Sequence, residues 1–469
     1  MAQGSPQGQT DQTPAPGAAA VDIGLLLNNG PFTPLQKALV ALTALSVLFD
    51  GFDTVLIGLA IPRIAKDWHV ARGAFAPAVA AGLFGMCVGS ACLGWFADRF
   101  GRRRALIGSV LLFGIATCLV SLAPNIFTIG LLRFFAGFGI GGAIPCSTTM
   151  TAELTPWRSR TLAVTATIVC VPLGGMVAGL AATAILPTHG WRTLFLVGGL
   201  LPIALSLGLL AALPESPRFL ARHSARWPEL TRLLARMGRP TAAETSYCDA
   251  AEQIVEPQKG FGALFSAEYL RDTLALWCAF FMCLLTVYSA FSWLPTMLVS
   301  AGLSGTIASS GLTAYNLGGV FGALLCAAAI ARFGSRWAML ACCAGAALSA
   351  LALRTIPLAH HTGLVLTGLG IHGFFVNAVQ STLYALIAYV YPTEIRARGS
   401  ASAPAVGRLG AVLSGFLGAW VIAAGGPSGF LLMLAVAMLL VFAAIASVRR
   451  HIPWAGSDET EQEAAPVSG

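Results

Sequence analysis

Charge is what this chain has least of. Only 10% of its 469 residues are Asp, Glu, Lys or Arg, against about a quarter in soluble domains, and 56% are hydrophobic. With a mean hydropathy of +0.76, a water-soluble globular chain is excluded and a polytopic membrane protein remains. No CxxC spacing occurs. Ten of the 11 cysteines lie in apolar runs and Cys248 lies in the long central loop, so neither a disulfide framework nor a metal site is supported, and buried structural thiols are expected. HExxH, GxSxG and clustered His or Cys ligands are also missing, which removes the usual grounds for a membrane enzyme. The first 33 residues carry neither a charged n-region nor a cleavage site, so no signal peptide is expected and the first span stays uncleaved. Within this tail, Asp22 to Leu27 is expected to form a short surface helix.

Long apolar runs are abundant instead. Counting runs of about 18 residues or more gives twelve spans, near 35–62, 74–97, 104–123, 126–152, 160–186, 191–213, 273–300, 304–331, 336–356, 361–390, 399–425 and 427–448. The expected fold class is therefore all-α integral membrane. The net charge of +8 does not indicate nucleic acid, because the basic residues cluster between apolar runs, where they fix orientation. With both termini cytoplasmic, only Arg63, Lys66, Arg72, Arg192 and Arg354 fall outside, and nearly all other Lys and Arg fall inside.

The domain plan follows: a cytoplasmic tail over 1–33, a six-helix bundle over 34–213, a cytoplasmic central loop over 214–272, a second six-helix bundle over 273–449, and a cytoplasmic tail over 450–469. The halves echo each other. ADRFGRRRAL at 97–106 matches ARFGSRWAML at 331–340 in its R-F-G-x-R core, and RSR at 158–160 matches RAR at 396–398. Both echoes are separated by roughly half the chain, as a duplicated six-helix unit requires. The second copy has Ala331 where the first has Asp98, so a charge latch there is expected to be weaker.

GWFADRFGRRRA, Gly94 to Ala105, is longer and more ordered than orientation alone needs, and it resembles the loop signature of the major facilitator superfamily. That resemblance implies twelve transmembrane helices in two pseudo-symmetric six-helix bundles. Within the superfamily, D-G-F-D at Asp50 to Asp53, RFFAGFGIGGAIPCSTTMTAE from Arg133 to Glu153, PESPRFL from Pro214, VNAVQSTLYAL from Val376, YPTEIRARG from Tyr391 and GRLGA around Arg408 together resemble the aromatic acid:proton symporter family. PESPRFL and the loop signature also occur in sugar porters. The chain, however, leaves its last helix through SVRRHIPW without their PETKG-like ending. The resemblance implies import of benzoate-like and hydroxybenzoate-like anions.

The residues themselves point to proton coupling. An acid inside a bilayer costs about 2.5 to 3.5 kcal/mol on insertion scales, yet Asp50 and Asp53 both sit in the first span, three residues apart on adjacent positions of one helical face. Taking a carboxylate out of water disfavours its charged form, and a second acid beside it does so again. The pair is thus a proton-coupling site by composition. Arg133, about eight residues into the fourth span, lies at the same depth as Asp53, roughly 12 to 14 Å from the outer boundary, and is expected to hold the deprotonated pair. Asp98, Arg99 and Arg102 are expected to form a charge relay at the cytoplasmic seam, with Glu153, Glu394 and Arg396 as gate charges at helix ends.

Arg408 lies about 10 Å inside the eleventh span, and its planar fork suits both oxygens of a substrate carboxylate. Asn377, Gln380 and Tyr384 recur at i, i+3 and i+7 on the tenth span, a polar stripe fit for ring hydroxyls. Tyr315, Asn316 and His372 are further substrate-site candidates, each weighed against core packing, and His372 against a hydrogen-bonded helix histidine. The expected function is import of an aromatic carboxylate with protons, by alternating access, across a bacterial-type cytoplasmic membrane. No cofactor is expected beyond the proton as coupling ion, no partner beyond the substrate and the lipid bilayer, and the monomer is expected to suffice. Another organic anion such as a dicarboxylate, an exporter, or a non-transporting sensor are the alternatives. The sequence leaves open the particular acid, the stoichiometry and which of the two aspartates carries the proton.

Overall fold

The computed structural model describes residues 21–28, 30–241, 246–248, 261–391 and 393–453. Among these, ten helices are long and apolar enough to cross a membrane. They are α2 (Pro34–Asp67), α3 (Ala76–Phe100), α4 (Arg102–Val120), α5 (Ile126–Leu154) and α6 (Trp157–Ala212), then α9 (Leu270–Ser300), α10 (Gly305–Phe333), α11 (Ser335–Thr355), α12 (Thr362–Val390) and α13 (Thr393–Ser447). Two are far too long for one crossing: α6 has 56 residues and α13 has 55, about 80 Å each against a hydrocarbon core of about 30 Å. Each is broken once by a glycine with positive φ, Gly190 (76°) in α6 and Gly426 (60°) in α13. Ten helices thus make twelve crossings, with the breaks at the boundaries that hydropathy placed between spans five and six and between eleven and twelve. Large apolar side chains cover the outside, Phe127 and Trp420 being 81% and 67% exposed, as a lipid-facing surface requires.

Local chemistry sets the helix ends. Thr33 and Gln36 form a capping box at the start of α2, and the Gln36 amide also donates to the Leu154 carbonyl at 2.8 Å, tying that start to the end of α5. The duplicated R-F-G places Gly101 (φ 104°) between α3 and α4 and Gly334 (φ 76°) between α10 and α11, so the sequence echo is also a backbone echo.

Helices α2 to α6 pack as one bundle and α9 to α13 as another. With the end where α2 begins called proximal, and the end where α2 finishes distal, the described contacts between the bundles close the distal side. Gly58 of α2 lies against the backbone of Phe291 and Ser292 in α9, Gly175 of α6 against the Asn316 amide of α10, and Gly415 of α13 against the Ala80 backbone of α3. Each glycine permits an approach that a β-carbon would obstruct.

The central loop is more ordered than a linker. It holds α7 (Pro217–Ala221) and the amphipathic α8 (Trp227–Arg236), which buries Leu230, Leu233 and Leu234. The tail before α2 joins them. Val21–Asp22 (β1) pairs in parallel with Tyr247–Cys248 (β2), and α1 (Ile23–Asn28) buries Ile23 and Leu27 in the same cluster. The expected surface helix therefore exists, but two of its side chains are core. At the proximal end of the other bundle, Arg449 N–H donates to Asp272 at 2.8 Å and Ile452 N–H to Ser335 Oγ at 2.8 Å.

Candidate functional site

The two acids of α2 lie in the interior, Asp50 1% and Asp53 0% exposed. The depth match with Arg133 is realised as contact. Arg133 Nη1 donates to Asp53 Oδ2 at 2.9 Å and Nη2 to the Asp53 carbonyl at 3.2 Å, with Arg133 as a whole 4% exposed. The other carboxylate oxygen of Asp53 accepts from the Thr117 hydroxyl of α4. Removing one partner of a pair this deep leaves a buried uncompensated charge, at about 3–5 kcal/mol.

Asp50 is held differently. Its Oδ1 accepts from Thr54 Oγ1 at 3.3 Å, and no donor among the described residues reaches Oδ2. Thr54, Arg133 and Ser292 line one small cavity with Met86 and Gly137, so the first bundle's polar core meets α9 there. Thr54 and Thr117 escaped the sequence reading for a physical reason. A helix threonine ordinarily bonds its hydroxyl to a preceding carbonyl, and nothing in the sequence marks one aimed at an acid instead.

From the second bundle, Arg408 is half-buried on α13, and no carboxylate pairs with it among the described residues. Arg408 lies near Tyr288 of α9 and Tyr384 of α12, and Asp50 lies near the same Tyr288. Tyr384 is 40% exposed and edge-on to Phe280 at 5.1 Å, while Gln380, one turn away, is half-buried. Asn377 is 4% exposed and donates to the Gly373 carbonyl at 3.0 Å. Asn316 is fully buried, with its Nδ2 on the Leu312 carbonyl at 2.9 Å and no donor among the described residues on its Oδ1. Tyr315 stands edge-on to Phe291 at 6.2 Å.

His372 packs beside Tyr315, with ring centroids 6.0 Å apart. Its Nδ1 lies 3.0 Å from Ser349 Oγ and 3.1 Å from the Ala346 carbonyl, both on α11, so the ring is a packed helix histidine. Its Nε2 is buried with no partner among the described residues.

At the proximal end, Arg102 pairs with Glu153, which also accepts from the Ser216 hydroxyl. Glu215 accepts from the backbone N–H of Arg103 at 2.9 Å and of Ser216 at 3.0 Å. Asp98 lines a small pocket with Arg102, Arg218, Phe219 and Arg222. Arg102, Glu153 and the Ser216 hydroxyl of the PESP turn thus form one cluster, with Asp98 beside Arg102 in the same small pocket. Arg99 does not join it: its guanidinium lies over the exposed rings of Trp95 at 5.6 Å and Phe100 at 5.9 Å, because cation–π contact at the lipid-facing surface satisfies the charge there. The side chains of Glu394 and Arg396 lie outside the described residues.

Comparison with known proteins follows from this architecture. Residues 39–450 match the family described as Sugar (and other) transporter. The gallate transporter of Pseudomonas putida is 33% identical over 407 residues, covering 87% of this chain and 90% of that one. The 4-hydroxybenzoate transporter of Acinetobacter baylyi is 34% identical over 433 residues, covering 92% and 93%. Among solved structures, the partially occluded, inward open xylose transporter XylE of E. coli superposes with a TM-score of 0.71 at 17% identity, over 89% of this chain and 99% of that one, which supports the fold. The chain belongs to the sugar (and other) transporter family, in the major facilitator fold, as a sequence relative of transporters for gallate and 4-hydroxybenzoate.

Proposed function

We propose that this protein imports a hydroxylated aromatic carboxylate together with protons by alternating access, in the cytoplasmic membrane with both termini inside. The observation that carries this reading is the buried arrangement of Asp50, Asp53 and Arg133 in one bundle, together with an Arg408 in the other bundle that no acid among the described residues neutralises. Intramembrane ionisable groups facing an interior mark ion and substrate paths. A guanidinium without its own carboxylate is suited to accept one from a ligand, through two parallel hydrogen bonds. Asn377, Gln380, Tyr384 and Asn316 supply amide and phenol groups for ring hydroxyls. The relatives named for gallate and 4-hydroxybenzoate support this substrate class.

With the Lys- and Arg-rich proximal end inside, the distal glycine contacts describe a bundle closed to the outside. The Arg102–Glu153–Ser216 cluster then braces the first bundle's cytoplasmic end, so the bundles rock as units. The proton number sets the driving force. One monoanion with one proton moves no net charge, whereas a second proton adds about 2.3 kcal/mol per 100 mV, roughly 40-fold more accumulation.

Uptake of labelled gallate, 4-hydroxybenzoate and benzoate into proteoliposomes, with and without an inwardly directed pH gradient, tests this function. Gradient-dependent accumulation of at least one acid is the expected result. Gradient-independent uptake of a neutral sugar, with no acid uptake, overturns it.

A further inference from the structure

We infer that Cys326 of α10 and Cys342 of α11 form a peroxide-sensitive dithiol inside the second bundle, a modification site at which a hydroperoxide links the two helices through a disulfide.

The sequence places the two thiols opposite one another. The turn between α10 and α11 is the single residue Gly334, and Cys326 and Cys342 each lie eight positions from it, one before and one after. Two antiparallel helices leaving a tight turn carry such positions at equal depth, here about 12 Å from the turn at 1.5 Å per residue. Small residues surround both, CAAA at 326–329 and ACCAGAA at 341–347, and they let the helices approach closely. Consecutive helix positions point about 100° apart, so Cys342 and Cys343 cannot both face α10.

The contact made is the one with Cys342. Its Sγ donates to Cys326 Sγ at 3.7 Å, and the two residues are 8% and 4% exposed. Thr382 of α12 stands beside Cys326, and its hydroxyl donates to the Ala378 carbonyl at 2.8 Å. The sulfurs are therefore about 1.7 Å short of the separation in a disulfide.

The first bundle carries the same hairpin without the pair. Eight positions either side of Gly101 stand Leu93 and Ser109, and a β-carbon on Gly142 of α5 would touch both. The duplicated geometry thus gathers these positions in both halves, and only the second half puts sulfur at each.

A hydroperoxide is the two-electron oxidant. One thiol sulfur attacks a peroxide oxygen, the O–O bond breaks, and a sulfenic acid forms with release of an alcohol, or of water when the oxidant is hydrogen peroxide. The second sulfur attacks the sulfenic sulfur, the S–S bond forms, and the hydroxyl leaves as water with the second thiol's proton. Hydrogen peroxide is small and uncharged, so it reaches a buried pair without carrying an ion into the apolar interior. The link lies within one bundle, which it tightens without tying it to the other.

Full-length protein in proteoliposomes, treated with hydrogen peroxide and then denatured and alkylated with N-ethylmaleimide, tests this by peptide mass spectrometry. The expected product joins the Cys326 and Cys342 peptides, is lighter than their sum by two hydrogens, and is split by dithiothreitol. Thermal unfolding in detergent should shift upward on oxidation and return with reductant. Cys343→Ser should keep the link and the shift. Cys326→Ser should lose both and leave Cys342 as a sulfenic acid that dimedone labels. Exposed Cys278 reports the dose.

Peroxide that oxidises Cys278 yet leaves Cys326 and Cys342 free to alkylate overturns the assignment, and so does a link from either to Cys343 or Cys283. A Cys326–Cys342 link with no upward shift removes the tightening of the bundle. If Cys326→Ser fails to fold, the wild-type peptide map and Cys343→Ser decide alone.

Discussion

Gly58 of α2 lies directly against the backbone of Phe291 and Ser292 in α9, so the first helix of one bundle meets the first helix of the other with no side chain between them. Gly58 sits eight positions along from Asp50, roughly 12 Å at 1.5 Å per residue, on the distal side of both acids. The helix that carries the two buried acids therefore also forms part of the distal closure. A change in packing at one place is transmitted along a rigid rod to the other.

Gly58→Val is expected to disfavour the distally closed arrangement. Forcing extra carbons into a packed contact costs about 1–3 kcal/mol, enough to shift a two-state equilibrium about 5–150-fold. Uptake should fall accordingly, and amide hydrogen exchange should rise in peptides spanning 52–62 and 287–300. Unchanged exchange in both segments removes Gly58 from the distal closure.

Arg408→Lys keeps the charge but loses the fork, and Arg408→Ala loses both. If Arg408 binds the substrate carboxylate, alanine should raise KM by about 10-fold to 150-fold, the worth of a charge-assisted hydrogen bond of about 1.5–3 kcal/mol, with lysine in between. Inhibition by the uncharged methyl ester of 4-hydroxybenzoate should be little affected. Equal weakening of acid and ester removes the carboxylate role.

The contrast between Arg133 and Thr117 shows which parts of the site were legible in the sequence. Arg133 and Asp53 could be matched because a charge in an apolar run is conspicuous and helix rise converts its position into depth. Thr117 could not, since a threonine is ordinary in such a run and only tertiary packing decides where its hydroxyl points. The twelve crossings were legible for the same reason as Arg133, and the Gly190 and Gly426 breaks fell where hydropathy paused. The short helix α1 was expected at 22–27, but the ordered cap it forms with α7, α8 and the β1–β2 pair was not, because a two-residue strand has no period to detect. Arg99 was misplaced because its sequence neighbours say nothing of which way a helix end turns toward lipid.

Glu153→Gln probes the proximal cluster. The carboxylate serves both Arg102 and the Ser216 hydroxyl, and its side chain is 7% exposed, so the amide leaves a guanidinium facing a weaker acceptor. A loss of about 1–3 kcal/mol in stability is expected, seen as a lower Tm, together with faster hydrogen exchange in 214–222. Little dependence on salt is also expected, since a pair this enclosed is poorly screened. A variant with wild-type Tm and exchange shows that the cluster does not brace the PESP turn.

The tail before α2 should act as a strap on the central loop. Ile23 is 0% and Leu27 2% exposed, packed with Leu230, Leu233, Leu234 and Tyr247, and burial of such a side chain contributes about 1.5–3 kcal/mol. Arg239, 8% exposed, donates to the Leu26 carbonyl at 2.6 Å, and burial pulls its guanidinium below the ordinary arginine pKa. Asn28 accepts from Arg160 at 2.6 Å, which ties the strap to the start of α6. Ile23→Asp combined with Leu27→Asp removes the apolar contact and sets two acids near Leu233 and Leu234. Proteinase K should then cut the 222–241 segment of the variant much faster than that of wild type, while the membrane helices stay intact. Arg239→Gln should produce a smaller effect in the same direction, because the amide can still donate to one carbonyl. If the double variant resists the protease as wild type does, the cap holds together without the strap, and the buried contacts of Ile23 and Leu27 contribute nothing to its order.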